Sequence, residues 1–278
     1  MYENEMRFKK VTPSEELRPY VRNFWLFDVD KEDVPFSQLL FPFGSFELII
    51  NLHNAPEMEM VGGQGKFIQP ESLFPGQFTK PFTLCFVQRT KCIGISLHPW
   101  MGKVLFDVPA NEFTDSITTV QNIEPGLRLR EKLLEAKNEA DQLMIMEAYL
   151  LKKLSGVQFA LDSCYIAQSV LRQPSPQRLR EVVSSIGLTR RRIEQRFLES
   201  TGLSMGAFVR KVRFQKAVTL VHQNHDSSLT QIGLEAGYYD QSHFIREFKE
   251  FAGITPSDFA KQPTKMRNFV SELLVVSS

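Results

Sequence analysis

The side chains whose types and spacing could do chemistry lie in two short stretches near the C-terminus. The first holds Arg190, Arg191, Arg192, Glu194 and Gln195, the second Gln241, Ser242, Arg246 and Lys249. Guanidinium, amide, hydroxyl and ammonium groups so arranged break no covalent bonds; their chemistry is hydrogen bonding. An arginine fork fits O6 and N7 of guanine and a glutamine amide fits N6 and N7 of adenine, each worth about 1–3 kcal/mol of discrimination, while further cations hold phosphates. Reaction chemistry has less to stand on. The chain has no Gly-x-Ser-x-Gly, no Cys/His pair and no close acidic pair that would supply a nucleophile or a general acid. His53 and His98 stand alone, so neither a metal nor another cofactor is expected. Cys85, Cys92 and Cys164 lack paired metal-ligand spacing and read as reduced, buried thiols.

Such side chains meet a partner only if helices carry them outward, and the two stretches prove to be copies of one unit. Arg192–Phe208 and His243–Phe259 repeat at an offset of about 50 residues, with Phe197 answering Phe248, Gly202 Gly253, Leu203 Ile254, Ser204 Thr255 and Phe208 Phe259. Ahead of each copy a short apolar helix leads through a glycine into a second helix. Leu179, Val182, Val183 and Ile186 fall at i, i+3, i+4, i+7, Gly187 interrupts, and Thr189 is placed to cap a helix that turns Ile193 and Phe197 inward. Leu229, Ile232, Ala236 and Gly237 repeat the scheme. The helix opening near Asp240 then buries Phe244, Phe248 and Phe251 and projects Ser242 and Arg246, with Gln241 near its tip. This is a helix-turn-helix written twice.

Between the copies, Met205–His222 carries two apolar stripes, Phe208/Val209/Val212 and Phe214/Val218/Val221, as a helix shared by two small bundles should. Its roughly 18 residues would span about 27 Å. Two recognition helices on one face enter successive major grooves only about 34 Å apart, which predicts a site of about 18 to 20 base pairs. Upstream, Leu161–Arg172 is predicted helical and Gln173–Gln177 ends it, with Pro176 placed to start the next helix.

The segment LTQIGLEAGYYDQSHFIREFKEFAGITPSDF closely resembles the second helix-turn-helix of the AraC/XylS family of bacterial transcription regulators. Ile232, Gly237, Asp240, Ser242, His243, Phe244, Arg246, Phe248, Lys249, Gly253, Thr255, Pro256 and Phe259 stand at the signature positions. The departures are Gly233 for alanine, Tyr238 for phenylalanine and Ala260 for a basic residue. In the less typical first copy Val183 replaces an alanine and Met205 a proline. By position in the motif, Arg191, Glu194, Gln195, Gln241, Ser242 and Arg246 are the base-contact candidates. Arg190, Arg192, Arg213 and Lys249, with the helix starts at Thr189 and Asp240, are the phosphate candidates.

The 278 residues carry a net charge of +1 and suggest two globular domains. That charge averages unlike halves: across 161–265 basic side chains outnumber acidic ones 15 to 10, leaving the remainder net acidic. The N-terminal part is β-rich, with YVRNFWLFDV, FELIINL, PFTLCFVQ and KCIGISLH as short apolar strands of a small barrel or sandwich. VGGQGK lacks what a phosphate cradle needs and reads as a turn. After Pro99 the pattern turns helical over Trp100–Phe106, near Ser116, and over Pro125–Ala136 and Ala140–Leu154. The last carries Leu143, Ile145, Met146, Tyr149, Leu150 and Leu154, more apolar surface than one solvated helix needs, suited to the β-layer or to a second chain. The order of LFPFGSFELIINL, VGGQ and GISLHPWMGKVLFDVPANEFTD resembles the sensor half of some AraC-type regulators. That resemblance implies a cupin-like β-domain with helices that dimerise, and in some members a small effector.

The expected architecture is therefore α+β. A cupin-like β-domain with flanking helices occupies 1–156, an all-α domain with two helix-turn-helix units joined by a long helix occupies 157–266, and 267–278 is a tail. Trp25, Phe43, Phe46, Phe86 and Trp100 are candidates to line an apolar effector pocket. No apolar run approaches 18 residues and no signal-like N-terminus is present, so a cytoplasmic protein is expected. The function expected is non-enzymatic, sequence-specific regulation of transcription. The partners are double-stranded DNA, the transcription machinery, a small effector and a second copy, with no membrane. Two alternatives stay open: a DNA-repair methyl acceptor fused to a DNA-binding module, needing a zinc-bound thiolate, and an oligomeric regulator that senses nothing.

Overall fold

The structure is a computed structural model that describes residues 7–42, 44–60, 65–157, 160–223 and 227–262. Residues 61–64 of the VGGQGK turn, and the tail, lie outside the described residues.

Two antiparallel sheets form the N-terminal half. Strands β1 (Arg7–Val11), β2 (Val21–Val29), β4 (Phe46–Asn51), β7 (Ser72–Pro75), β9 (Thr90–Leu97) and β10 (Ile117–Thr119) make the first, ordered β1-β2-β9-β4-β7-β10. Strands β3 (Phe36–Leu40), β5 (Glu57–Met60), β6 (Lys66–Ile68) and β8 (Phe82–Phe86) make the second, ordered β3-β8-β5-β6. The central strands β2 and β9 are covered on both faces, which is why they read as near-continuous apolar runs rather than alternating ones. The predicted runs are β2, β4, β8 and β9. The segment near Ser116, expected to be helical, is instead strand β10, which pairs with β7 through Ile117 opposite Pro75.

Helices α1 (Val120–Ile123), α2 (Leu129–Glu135) and α3 (Glu139–Leu154) follow, then α4 (Leu161–Arg172), α5 (Pro176–Ser185), α6 (Arg190–Thr201), α7 (Met205–Gln223), α8 (Leu229–Ala236), α9 (Gln241–Ala252) and α10 (Pro256–Ala260). Trp100–Phe106, expected to be a helix, is a 3-10 turn at Pro99–Met101 followed by further turns.

Alternation along the first sheet gives it two cores. Its outer face, with Phe24, Phe46, Leu48, Ile50 and Ile95, packs with Met146, Leu150 and Leu154 of α3 and with Ile193 and Phe197 of α6. Its inner face, with Trp25, Phe27 and Cys92, packs with Phe82 and Phe86 of the second sheet and with α8 and α9. Helix α7 serves both: Phe208, Val209 and Val212 enter the first core, Phe214, Val218 and Val221 the second. Each core thus crosses from the β-half into the helical half.

Candidate nucleic-acid interface and inter-sheet cavity

The two helix-turn-helix units are α5–α6 and α8–α9. Their matched positions share geometry: Gly202 and Gly253 end α6 and α9 with φ of 74° each, a left-handed conformation that favours glycine. Ser204 and Thr255 then cap the following helices, accepting from the backbone N–H of Ala207 and Asp258. The turns inside the units differ. Gly237 closes α8 with φ of 96°, whereas α5 ends on Ile186 in an extended conformation.

The helices that follow these turns are open to solvent. On α6, Arg190, Arg191, Arg192, Glu194 and Gln195 are exposed, while Ile193 and Phe197 are buried as expected. Arg190 pairs with Glu194 at 2.8 Å and Gln195 donates to Glu199 at 3.0 Å, exposed pairs that exchange readily for another partner. Thr189 sits at the N-cap without a side-chain bond, leaving N–H groups of the first turn open. On α9, Gln241, Ser242, Arg246 and Lys249 are exposed. Asp240 spends its carboxylate accepting from the His243 N–H at 2.7 Å, and Thr230 of α8 donates to the Gln241 side chain at 2.8 Å, steadying it. Tyr239, just ahead of α9 and 88% exposed, was not among the expected residues; the only signal for it was an aromatic beside the glycine turn.

Arg213 is a correction. Expected at a phosphate, it is buried, lies 3.2 Å from both oxygens of Glu247 and covers the Tyr238 ring at 5.0 Å. Glu247 also receives Arg210 at 2.8 Å, so these side chains tie α7 to α9. Because both flanks of α7 are buried, helical phase alone could not separate an outward arginine from an inward one.

The second feature is a cavity of about 120 Å³ between the sheets. Trp25 and Phe86 line it. Phe46 and Trp100, expected there, do not: Phe46 is one residue out of phase with the cavity-facing Glu47 and stacks on Phe74 at 5.6 Å, and Trp100 stacks on His98 at 4.5 Å. Phe43 lies outside the described residues. Sequence reasoning missed Glu47. Its carboxylate accepts from the Trp25 indole at 2.8 Å, Ser96 at 2.8 Å and Ser45 at 2.6 Å. Burial pushes this carboxyl above its usual range; the three donors and the charge of Arg22 pull it back.

From Glu47 a chain of hydrogen bonds leaves the cavity. Ser45, which holds Glu47, accepts at its carbonyl from Gln77 at 3.2 Å, and Gln77 accepts from Lys211 of α7. Lys211, 1% exposed, also donates to the carbonyl of Phe78, a cavity residue. One turn on, Gln215 donates to the Pro42 carbonyl.

A family model described as a helix-turn-helix domain matches residues 182–262. The HTH-type transcriptional regulator MtrA of Neisseria gonorrhoeae is 28% identical over 128 residues, 43% of this chain and 42% of its own length. Over its C-terminal part the chain is therefore similar to helix-turn-helix regulators of transcription. An uncharacterized HTH-type regulator of Haemophilus influenzae is 31% identical over 110 residues, 38% of this chain and 37% of its own. The chain thus spans less than half the length of these curated relatives. A second family model, described as a domain of unknown function, matches residues 9–119. The solved structure of ToxT from Vibrio cholerae O395, bound to a methylnaphthalenyl butenoic acid, is a distant likeness that covers 98% of this chain and 100% of its own at 11% identity and a TM-score of 0.48.

Proposed function

We propose that this protein is a sequence-specific DNA-binding regulator of transcription, without enzymatic activity, whose β-domain takes a small effector in the inter-sheet cavity. The observation that carries the reading is the pair of recognition helices, α6 and α9, presenting arginine and glutamine to solvent at matched positions of a duplicated unit. Arg191, Glu194, Gln195, Gln241, Ser242 and Arg246 read base edges. Arg190, Arg192, Lys249 and the first turns of α6 and α9 hold phosphates. The hydrogen-bond chain from Glu47 to Lys211 supports the sensing half, since it joins the cavity to the helix that sets the two units apart.

The domains we assign are 1–156 for sensing, 157–266 for DNA and 267–278 as tail. A second copy is the partner we assign to the exposed stripe Met144, Ala148 and Leu151 on α3. No helix among the described residues is long and apolar enough to cross a membrane, and we place the protein in the cytoplasm with RNA polymerase. The methyl-acceptor alternative loses support from the thiols. Cys85 and Cys92 are buried. Burial raises the Cys92 thiol well above its ordinary value and pushes Cys164 up to about 11, the opposite of an activated thiolate.

The test is selection of duplexes from a random library by the full chain. Enrichment of one site of about 18 to 20 base pairs, with two elements a helical turn apart, is expected. Retention of DNA without enrichment would refute sequence-specific reading.

A further inference from the structure

The inter-sheet cavity presents acceptors with no cationic side chain among the described residues of its lining. Its wall carries the rings of Phe8, Trp25, Phe27, Phe78, Phe82 and Phe86, a surface for a flat apolar body. The apolar lining is broken by Glu47 and Asn51 on one face of β4, by Ser45 beside Glu47, and by Gln69, whose amide nitrogen faces the Met58 sulfur at 4.0 Å. The donors near Glu47 are spent within the wall: Trp25, Ser45 and Ser96 all give their hydrogens to its carboxylate. The Trp25 N–H has no acceptor capacity, so the oxygen it meets is fixed as an acceptor. Asn51 donates its amide to the Pro70 carbonyl and leaves Oδ1 buried without a partner. Among the described residues lining the cavity there is no lysine, arginine or histidine. Arg22, whose charge reaches Glu47, is not on the cavity wall.

Resting on the sensing reading above, we infer that the cavity takes an aromatic or otherwise flat apolar molecule bearing a hydrogen-bond-donating nitrogen, anchored by Glu47 and Asn51. An amine or protonated heterocycle gives a hydrogen to the unpartnered Asn51 Oδ1 and its charge to the Glu47 carboxylate, which already accepts from three donors. A carboxylate or phosphate of the same size sets its charge against Glu47 where little water screens it and no cation lines the wall.

Isothermal titration of the full chain with three probes of one shape tests this: 2-(1-naphthyl)ethylamine, 1-naphthylacetate and 1-ethylnaphthalene. The amine is expected to bind at least about tenfold more tightly than either of the others, the scale of a charge-assisted hydrogen bond. In Glu47→Gln that preference falls by about tenfold while ethylnaphthalene binds as before. If Glu47→Gln does not fold by circular dichroism, the ranking on the wild-type chain decides alone. Equal or tighter binding of the acid, or no binding of any probe, overturns the assignment. Affinity for the selected duplex is read separately. Amine binding that leaves that affinity unchanged supports the ligand class and removes the sensing reading.

Discussion

The Lys211 ammonium lies 3.0 Å from the carbonyl oxygen of Phe78, so a side chain of the helix joining the two helix-turn-helix units ends on the wall of the cavity. Burial lowers its pKa from 10.5 to about 7, and the nearby Asp115 carboxylate only partly restores it. The folded chain therefore binds fewer protons than the unfolded one between those values, and stability rises with pH across that window. Lys211→Met keeps the length and removes the titration. The melting temperature of the wild type, taken relative to this variant, should climb from about pH 7 to about pH 9.5. A flat difference would show that Lys211 does not titrate there.

Glu247 is 3% exposed and holds Arg210 and Arg213 at once. Glu247→Ala leaves Arg213 buried without its counter-charge and should cost about 3–5 kcal/mol in denaturant unfolding. Glu247→Gln, which retains an acceptor, should cost less. A loss below about 1 kcal/mol for the alanine variant would mean that water reaches Arg213.

Gly94 lies under the Trp25 ring, where an added Cβ would stand 2.1 Å from the indole. Gly94→Ala must shift Trp25 and with it one of the donors to Glu47. The expected cost is about 1–3 kcal/mol, with a displaced tryptophan emission maximum. Unchanged emission and stability would place the ring elsewhere.

Arg246 is exposed on α9, and the acidic side chains that follow it on that helix, Glu247 and Glu250, are both held by Arg210. Arg246→Ala should weaken binding to the selected duplex by about 1–3 kcal/mol and to random DNA by much less. Equal losses measured by fluorescence anisotropy would reassign Arg246 to a phosphate.

The helical half was legible because its punctuation is chemical. Leu161–Arg172 ends where predicted, Pro176 opens α5, and the repeat pairs Gly202 with Gly253 at equal φ. Strands β2, β4, β8 and β9 were legible as apolar runs. Strands β5 (EMEM) and β6 (KFI) were not, since they are short and partly charged. The cavity was hidden for a different reason: its lining is decided by which parity of β2 and β4 faces the second sheet, and aromatic content carries no parity. The same holds for Gly233, a departure from the family pattern that weakens a helix on its own. Against α9 it has a use, since a Cβ there would already press on Phe244 at 3.2 Å.

Helix α7 gives one flank to each core. In the regulator proposed above, neither recognition element can be re-aimed without repacking the beam that carries the other. Substituted letters in a promoter would then be forgiven one at a time, whereas a single inserted base pair between the two halves would put them out of phase and be forgiven hardly at all.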